Sequence, residues 1–115
     1  MVGTAETLVL GVKAGLRPEV IRDVISTSTV GSFQFNYFAK TAMERNFKTG
    51  PRLRVLLKDL GVVLSTAKEF GVPMYATAVA HEMTKAATAI APEEDIGAMV
   101  KILEKIVGVV VKKTS

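Results

Sequence analysis

The sequence predicts an all-α fold, a bundle of about six helices. Apolar residues recur at helical spacing along most of the chain, and no segment shows the strict alternation of a half-buried strand. Glycine, proline and clustered hydroxyl side chains separate the periodic segments, and these residues start or end helices. With 115 residues, 49% of them hydrophobic and only 6% aromatic, the chain can build one core of packed helices. We therefore expect a single domain over residues 1–115.

Cap and turn residues set the expected boundaries of the helices. Gly15 is expected to end the first helix and Gly71 the fourth. Pro18 suits the first turn of the second helix, and Ser32 can cap the third. The acids that follow Pro92 favour a helix start there, so Glu94 and Asp95 need no functional role. The predicted helices are about 4–14, 18–25, 32–45, 52–70, 73–89 and 92–107.

Composition excludes several classes of function. The chain has no cysteine, so it has no disulfide framework, thiol nucleophile or cysteine-ligated metal. Its one histidine, His81, lacks a second ligand at His-Glu-x-x-His spacing, so we expect no metal site and a surface or partly buried side chain. No apolar run reaches membrane-spanning length and no secretory signal pattern is present, which favours a cytoplasmic protein without membrane contact.

The formal net charge of +4 is mild. Nucleic-acid binding would call for a denser basic stripe with aromatic side chains interleaved, and the aromatic residues Phe33, Phe35, Tyr37 and Phe38 lack such basic neighbours. A helical nucleic-acid binder therefore stands only as a distant alternative. A cleft for an anionic ligand accounts for the same charges.

Lys58 lies midway along the longest periodic stretch and is the most informative single residue. At about 100° per residue it points away from the apolar face of its predicted helix, beside Gly61, Val62 and Ser65, which form a small and mostly uncharged surface. A lysine with small neighbours can approach a ligand closely. The alternative is a surface lysine paired with a nearby acid. The apolar face comprises Leu53, Leu56, Leu57, Leu60, Val63, Leu64, Ala67 and Phe70.

The same stretch carries a family resemblance. Lys58-Asp59-Leu60-Gly61, followed by Ala67-Lys68-Glu69 and Gly71-Val72-Pro73, resembles the C-terminal domain of the β-hydroxyacid dehydrogenases. That family includes 3-hydroxyisobutyrate, tartronate semialdehyde and L-threonate dehydrogenases and is kin to 6-phosphogluconate dehydrogenase. The resemblance covers nearly the whole chain, because it extends to Ala5-Glu6, Lys13-Ala14-Gly15-Leu16, Pro18-Glu19-Val20, Pro92-Glu93-Glu94-Asp95 and residues 98–104.

The resemblance implies roles for particular residues. Lys58 would bind NAD or NADP near the nicotinamide end, and Asp59 would help to hold it. Ser32, Gln34 and Asn36 would lie on the substrate side of the cleft, where Gln34 and Asn36 could reach a hydroxyl or carboxylate group. The alternative for this segment is a capped helix start whose phenylalanines fill the core. Many relatives have Ser-Trp-x-x-x-Asn-Arg where this chain has Ser-Phe-Gln-Phe-Asn-Tyr, so the small 3-hydroxy acid is not identified.

Two expected elements of a complete dehydrogenase do not occur in these 115 residues. No Gly-x-Gly-x-x-Gly follows a strand, so the Rossmann cofactor domain is absent from this chain. The family's Gly-x-x-Gly-x-x-x-Lys-x-x-Asn element, which carries the proposed acid–base lysine upstream of the stretch beginning here at Met1, is also absent. We therefore expect no catalytic residue in this chain and no activity or bound cofactor when it stands alone. The start at Met1 is expected to mark the boundary of an expressed fragment or of a shortened gene.

These features are compatible with two functions. The first is the helical C-terminal domain of an NAD(P)-dependent dehydrogenase, which would supply one wall of the cleft and a surface for pairing into a homodimer or higher oligomer. The alternative is a free-standing helical interaction or dimerisation module that retains the fold without the chemistry. The choice between NAD and NADP stays open.

Overall fold

Six α-helices and one short 3-10 helix make up the computed structural model, which describes residues 1–114. The prediction of an all-α fold is confirmed. The only β-type pairing in this range is an isolated bridge between Arg52 and Asp95. The helices are α1 (Val2–Lys13), α2 (Pro18–Ser26), α3 (Phe33–Glu44), α4 (Leu53–Phe70), α5 (Tyr75–Ile90) and α6 (Val100–Val107), with the 3-10 helix Ile96–Met99 directly before α6.

The predicted caps occur where the sequence places them. Gly15 follows α1 with φ of 94°, and Gly71 ends α4 with φ of 66°, both in the left-handed region that favours glycine. The hydroxyl of Ser32 accepts a hydrogen bond from the Phe35 backbone N–H at 3.0 Å and caps α3. Pro18 occupies the first turn of α2.

The predicted start of the last helix was wrong. Residues 92–95 form a turn, and an α-helix begins only at Val100. The end of this segment bonds to the loop before α4: Asp95 N–H donates to the Phe47 carbonyl at 2.8 Å, and Ile96 N–H to the Pro51 carbonyl at 3.1 Å. In return, the Glu94 carbonyl accepts from Leu53 N–H at 2.9 Å. These long-range bonds replace the first helical turn.

Two other helix starts also differ from expectation. The first helix begins at Val2 instead of about Thr4. The fifth begins at Tyr75 instead of Pro73, because the chain stays non-helical through Met74, whose φ and ψ are −129° and 64°.

Helix α3 lies at the centre of the core. It packs against α1, α2 and the 3-10 helix, and it buries six of its residues, among them the fully enclosed Phe38. Met99 is fully buried, whereas Met74 and Met83 are half-buried. The other large residues that are fully buried are Leu8, Leu53, Val100, Val111, Thr84 and Asp95.

The carboxylate of Asp95 joins three parts of the chain. It is 1% exposed. It accepts hydrogen bonds from the Tyr37 hydroxyl at 3.0 Å, the Gly50 N–H at 3.0 Å and the Gly97 N–H at 2.9 Å. The three donors belong to α3, to the loop before α4 and to the 3-10 helix. Asp95 does cap a helix start, as expected, and in addition fixes where α4 leaves the core.

A second polar cluster fastens the C-terminal segment. The Arg45 guanidinium donates to both oxygens of the buried Glu104 carboxylate, at 2.6 and 3.1 Å, and to the Val111 carbonyl at 3.2 Å. Glu104 also accepts from the Val111 N–H at 2.8 Å. The guanidinium lies 4.9 Å from the centre of the Phe47 ring. Residues 109–113 are thereby held against α3.

Replacing Asp95 by alanine should destabilise the fold strongly. The Tyr37 hydroxyl and the N–H groups of Gly50 and Gly97 would lose a charged acceptor in the interior, and we expect the free energy of unfolding to fall by about 3 to 5 kcal/mol. Urea denaturation followed by circular dichroism measures this. Tyr37→Phe, which removes one of the three bonds to Asp95, serves as the control and should cost about 1 to 2 kcal/mol. A change below about 1 kcal/mol for Asp95→Ala would contradict the proposed connection.

Candidate functional site

Helices α4 and α5 form an antiparallel hairpin that projects from the rest of the molecule. Their base rests on the 3-10 helix, and α5 also contacts α6, but most of their packing is against each other. The molecule measures 48 × 31 × 25 Å as a result. At 1.5 Å per residue, the 18 residues of α4 span about 27 Å. Most of the hairpin surface is therefore open to an external partner or ligand.

Lys58 lies on this hairpin with its side chain exposed. Within residues 1–114, no ion pair joins its ammonium group to Asp59 or to any other acid. The alternative of a lysine paired with a nearby acid is therefore not seen among these residues. The structure does not place the Asp59 carboxylate in a direct ion pair with Lys58. The role of both residues at a cofactor stays a prediction.

The apolar face predicted for α4 contains residues from two different sides of the helix. Leu53 is buried, and Leu56, Leu57, Leu60, Leu64 and Ala67 are half-buried. Val63 and Phe70, however, are 42% and 76% exposed. A helix that packs chiefly against one neighbour cannot bury a stripe this wide, and these two residues point outward with Val55 and Val62. The outer side of α4 is consequently an apolar surface.

Gly61 and His81 meet across the hairpin. A Cβ atom built on Gly61 would lie 3.9 Å from His81 Nε2, and it would meet no other atom within 4 Å. The His81 side chain is half-buried, as expected. Its position next to the helical turn that carries Lys58 could not be predicted from the sequence of either helix alone. A glycine in the middle of a long helix was the available signal, since its cost to the helix points to a packing or functional reason.

The second group of predicted residues lies elsewhere on the molecule. Ser32 and Gln34 line a cleft of about 370 Å³ between the start of α3 and the first two turns of α1. Met1, Thr4 and Thr7 form its other wall. Asn36 is exposed on α3 and is not among the residues that line this cleft. The structure thus brings Ser32 and Gln34 together and leaves Asn36 outside.

Residues 1–114 contain neither a metal-binding cluster nor a membrane-spanning helix. No group of three or more histidine, aspartate or glutamate side chains in this range lies close enough together to hold a metal ion. No helix among the same residues is long and apolar enough to cross a bilayer.

The sequence and fold place the chain among known proteins. Residues 1–103 match the family model described as NAD-binding of NADP-dependent 3-hydroxyisobutyrate dehydrogenase. The chain belongs to this family. The resemblance of the sequence to β-hydroxyacid dehydrogenases is thereby confirmed.

Individual relatives agree with the family assignment. The chain is 36% identical to 2-(hydroxymethyl)glutarate dehydrogenase of Eubacterium barkeri over 111 residues, which cover 95% of this chain and 37% of the relative. It is 33% identical to L-threonate dehydrogenase of Cupriavidus necator over 99 residues, covering 85% of this chain and 33% of the relative. The crystal structure of 3-hydroxyisobutyrate dehydrogenase from Salmonella typhimurium superposes with a TM-score of 0.77 at 27% identity, covering 88% of this chain and 36% of that one. The chain thus spans about a third of the length of these dehydrogenases.

Replacing Gly61 by alanine should stabilise this chain. The new methyl group meets only His81, at an ordinary contact distance, and alanine is favoured over glycine in a helix by up to about 1 kcal/mol. Gly97→Ala is the matched control. Its Cβ would fall 2.5 Å from Thr41 Cγ2, so that variant should be destabilised. Thermal unfolding of both variants tests the pair, and a lower melting temperature for Gly61→Ala would show that the space beside His81 is closed.

Proposed function

We propose that this chain forms the helical C-terminal domain of an NAD(P)-dependent dehydrogenase that acts on a small 3-hydroxy acid. The observation that carries the proposal is the unpaired ammonium group of Lys58 on the open side of the α4–α5 hairpin, in a chain of this dehydrogenase family. The matched relatives are about three times as long, which leaves room in them for a separate cofactor domain. All residues 1–115 would then belong to the helical domain.

The residues around Lys58 fit an anionic cofactor. An ammonium group without an acid partner can pair with a phosphate or donate to a ribose hydroxyl, and the missing side chain at Gly61 leaves space next to it. When bound, the nicotinamide would donate or accept the hydride. Lys58 would orient that end of the cofactor, and Asp59 would influence Lys58 through its charge. Acid–base catalysis would come from outside these residues.

The cleft at the start of α3 is the candidate substrate side. Its wall offers the Gln34 amide and the Ser32 hydroxyl, which suit the hydroxyl and carboxylate groups of a hydroxy acid. Ser32 already accepts from the Phe35 N–H, so its remaining contribution would be as a donor. Asn36, which lies outside this cleft, is the weaker of the three sequence candidates.

The chain on its own should be catalytically inert. It holds neither the glycine-rich phosphate-binding turn nor the acid–base lysine of the family, and positioning and proton transfer each contribute several orders of magnitude to rate. Fluorescence titration with NADH and NADPH should show no tight binding. Saturable micromolar binding, or turnover of any 3-hydroxy acid by this chain, would overturn the proposal that the chemistry needs a further domain.

In the complete enzyme, Lys58→Ala should weaken cofactor use while leaving the fold intact. The lost charged hydrogen bond is worth on the order of 1.5–3 kcal/mol, which corresponds to about a ten- to hundredfold loss in kcat/KM for the cofactor. Lys68→Ala, another exposed lysine of α4, is the control and should have little effect. If the Lys58 variant stays folded and keeps wild-type kinetics, Lys58 is an ordinary surface residue.

We also infer that the chain pairs with itself. The apolar residues Leu16, Val62 and Val63 are 54%, 58% and 42% exposed. In the C-terminal run, Ile106 and Val110 are 72% and 57% exposed. Val9 and Val111, by contrast, are buried, and Val12 is half-buried. The remaining exposed apolar surface supports an interface with a second copy, with the missing part of the enzyme, or with both.

Size-exclusion chromatography with light scattering tests self-association. We expect a dimer or larger species at high micromolar concentration. Val62→Asp/Val63→Asp should shift the population toward monomer, because charges on the outer side of α4 resist burial. A single species near 12.3 kDa at that concentration would show instead that the apolar surface serves only the missing part of the enzyme.

A further inference from the structure

Lys58 and His81 lie on the same side of the hairpin. Lys58 is two residues from Leu56 on α4, and His81 is two residues from Met83 on α5. Both Leu56 and Met83 pack against the core. Two residues correspond to about 200° around a helix, so Lys58 and His81 each lie nearly opposite a core contact. The side of the hairpin that faces away from the core therefore carries both groups.

The contact between Gly61 and His81 sets how far apart the two groups are. Gly61 and His81 lie at the same height along the hairpin. Lys58 is three residues before Gly61, so it lies about 4.5 Å from that height along the α4 axis. With helix axes about 8–10 Å apart, the backbones of Lys58 and His81 are separated by about 10 Å. The lysine side chain and the imidazole can both reach one small group placed above Gly61, where a side chain would otherwise stand.

Neither donor is occupied within the part of the chain that the structure describes. The hydrogen bonds and ion pairs among residues 1–114 include none from Lys58 Nζ or from the His81 ring. The neighbouring acid, Glu82, is already paired with Lys85 at 2.9 Å. The hydrogen bond and charge of Lys85, followed by the charge of His81, hold the pKa of Glu82 below its usual range against an opposing desolvation.

We propose that His81 and Lys58 together bind an oxyanion above Gly61. The proposal rests on the proposed function, in which Lys58 faces the cofactor, and adds His81 as a second contact residue. The ligand chemistry is a phosphate or carboxylate oxygen. In the complete enzyme it belongs either to the phosphate of the nicotinamide nucleotide or to the carboxylate of the hydroxy acid.

Titration of the isotope-labelled chain by nuclear magnetic resonance tests the site directly. The probes are nicotinamide mononucleotide for the phosphate and 3-hydroxybutyrate for the carboxylate. We expect weak, saturable shifts of the Lys58, Gly61 and His81 amides with one of them, which identifies the source of the oxyanion. Binding should weaken at least fivefold in Lys58→Ala and in His81→Ala. Lys105→Ala, a lysine on α6, is the control and should bind normally. No shift at these amides with either probe overturns the proposal.

Two further variants distinguish direct contact with the oxyanion from an effect on the fold. His81→Gln keeps a side-chain N–H donor and should restore part of the binding lost in His81→Ala. Gly61→Val keeps both donors but fills the space between them, so it should lose binding while remaining folded by thermal unfolding. Normal binding by Gly61→Val would place the oxyanion elsewhere and refute the site.

Kinetic measurements on the complete enzyme distinguish the proposed role of His81 from the proposed cofactor role of Lys58. We expect His81→Ala to raise the KM for the cofactor or for the hydroxy acid at least fivefold, with the matching change in equilibrium affinity by calorimetry. If Lys58→Ala weakens cofactor use and His81→Ala changes nothing, the role of His81 fails and the proposed function stands. If neither variant differs from wild type, the cofactor role of this side of the hairpin fails as well.

Discussion

The hydrogen bonds to the buried Asp95 carboxylate determine the geometry of this domain. They connect α3, the loop before α4 and the 3-10 helix at one point, and the backbone bonds of residues 94–96 to Phe47, Pro51 and Leu53 lie beside them. The direction in which α4 leaves the core is fixed there, at its first residue. Every group on the hairpin, Lys58 included, takes its position relative to the core from that junction.

Stability and proposed function occupy different parts of the molecule. The buried side chains concentrate around α3, α1 and the 3-10 helix, whereas the hairpin buries Leu53 at its base, leaves Val63 and Phe70 exposed and carries its polar groups on the open side. Substitutions at Lys58 or His81 therefore change few core contacts. A surface that a partner or a ligand covers is best carried on an element whose own packing does not depend on that contact.

The local signals at Gly15, Gly71 and Ser32 were reliable, whereas the start predicted at Pro73 and the features that depend on distant residues were not. Gly15, Gly71 and Ser32 act on their own turns, so their caps could be predicted, as could the fold and family. The start of the last helix could not, because the bonds that prevent it come from residues more than forty positions earlier, such as Phe47. Val63 and Phe70 show a similar limit: helical spacing indicates an apolar face, but only the neighbouring elements decide whether it is buried. The proximity of Gly61 and His81 depends on the register of two helices.

Arg45 shows how a side chain can override the preference of its backbone position. It ends α3 with φ of 55°, the left-handed conformation that a non-glycine residue adopts at a cost of about 1–2 kcal/mol. Rules for helix ends would recommend glycine there. Removing the guanidinium would, however, leave the Glu104 carboxylate buried and unpaired, at a cost of about 3–5 kcal/mol. The free-energy cost of the unpaired carboxylate exceeds that of the backbone strain. A consensus-style redesign that replaced Arg45 with glycine would therefore relieve the strain at this position but loosen the C-terminal segment.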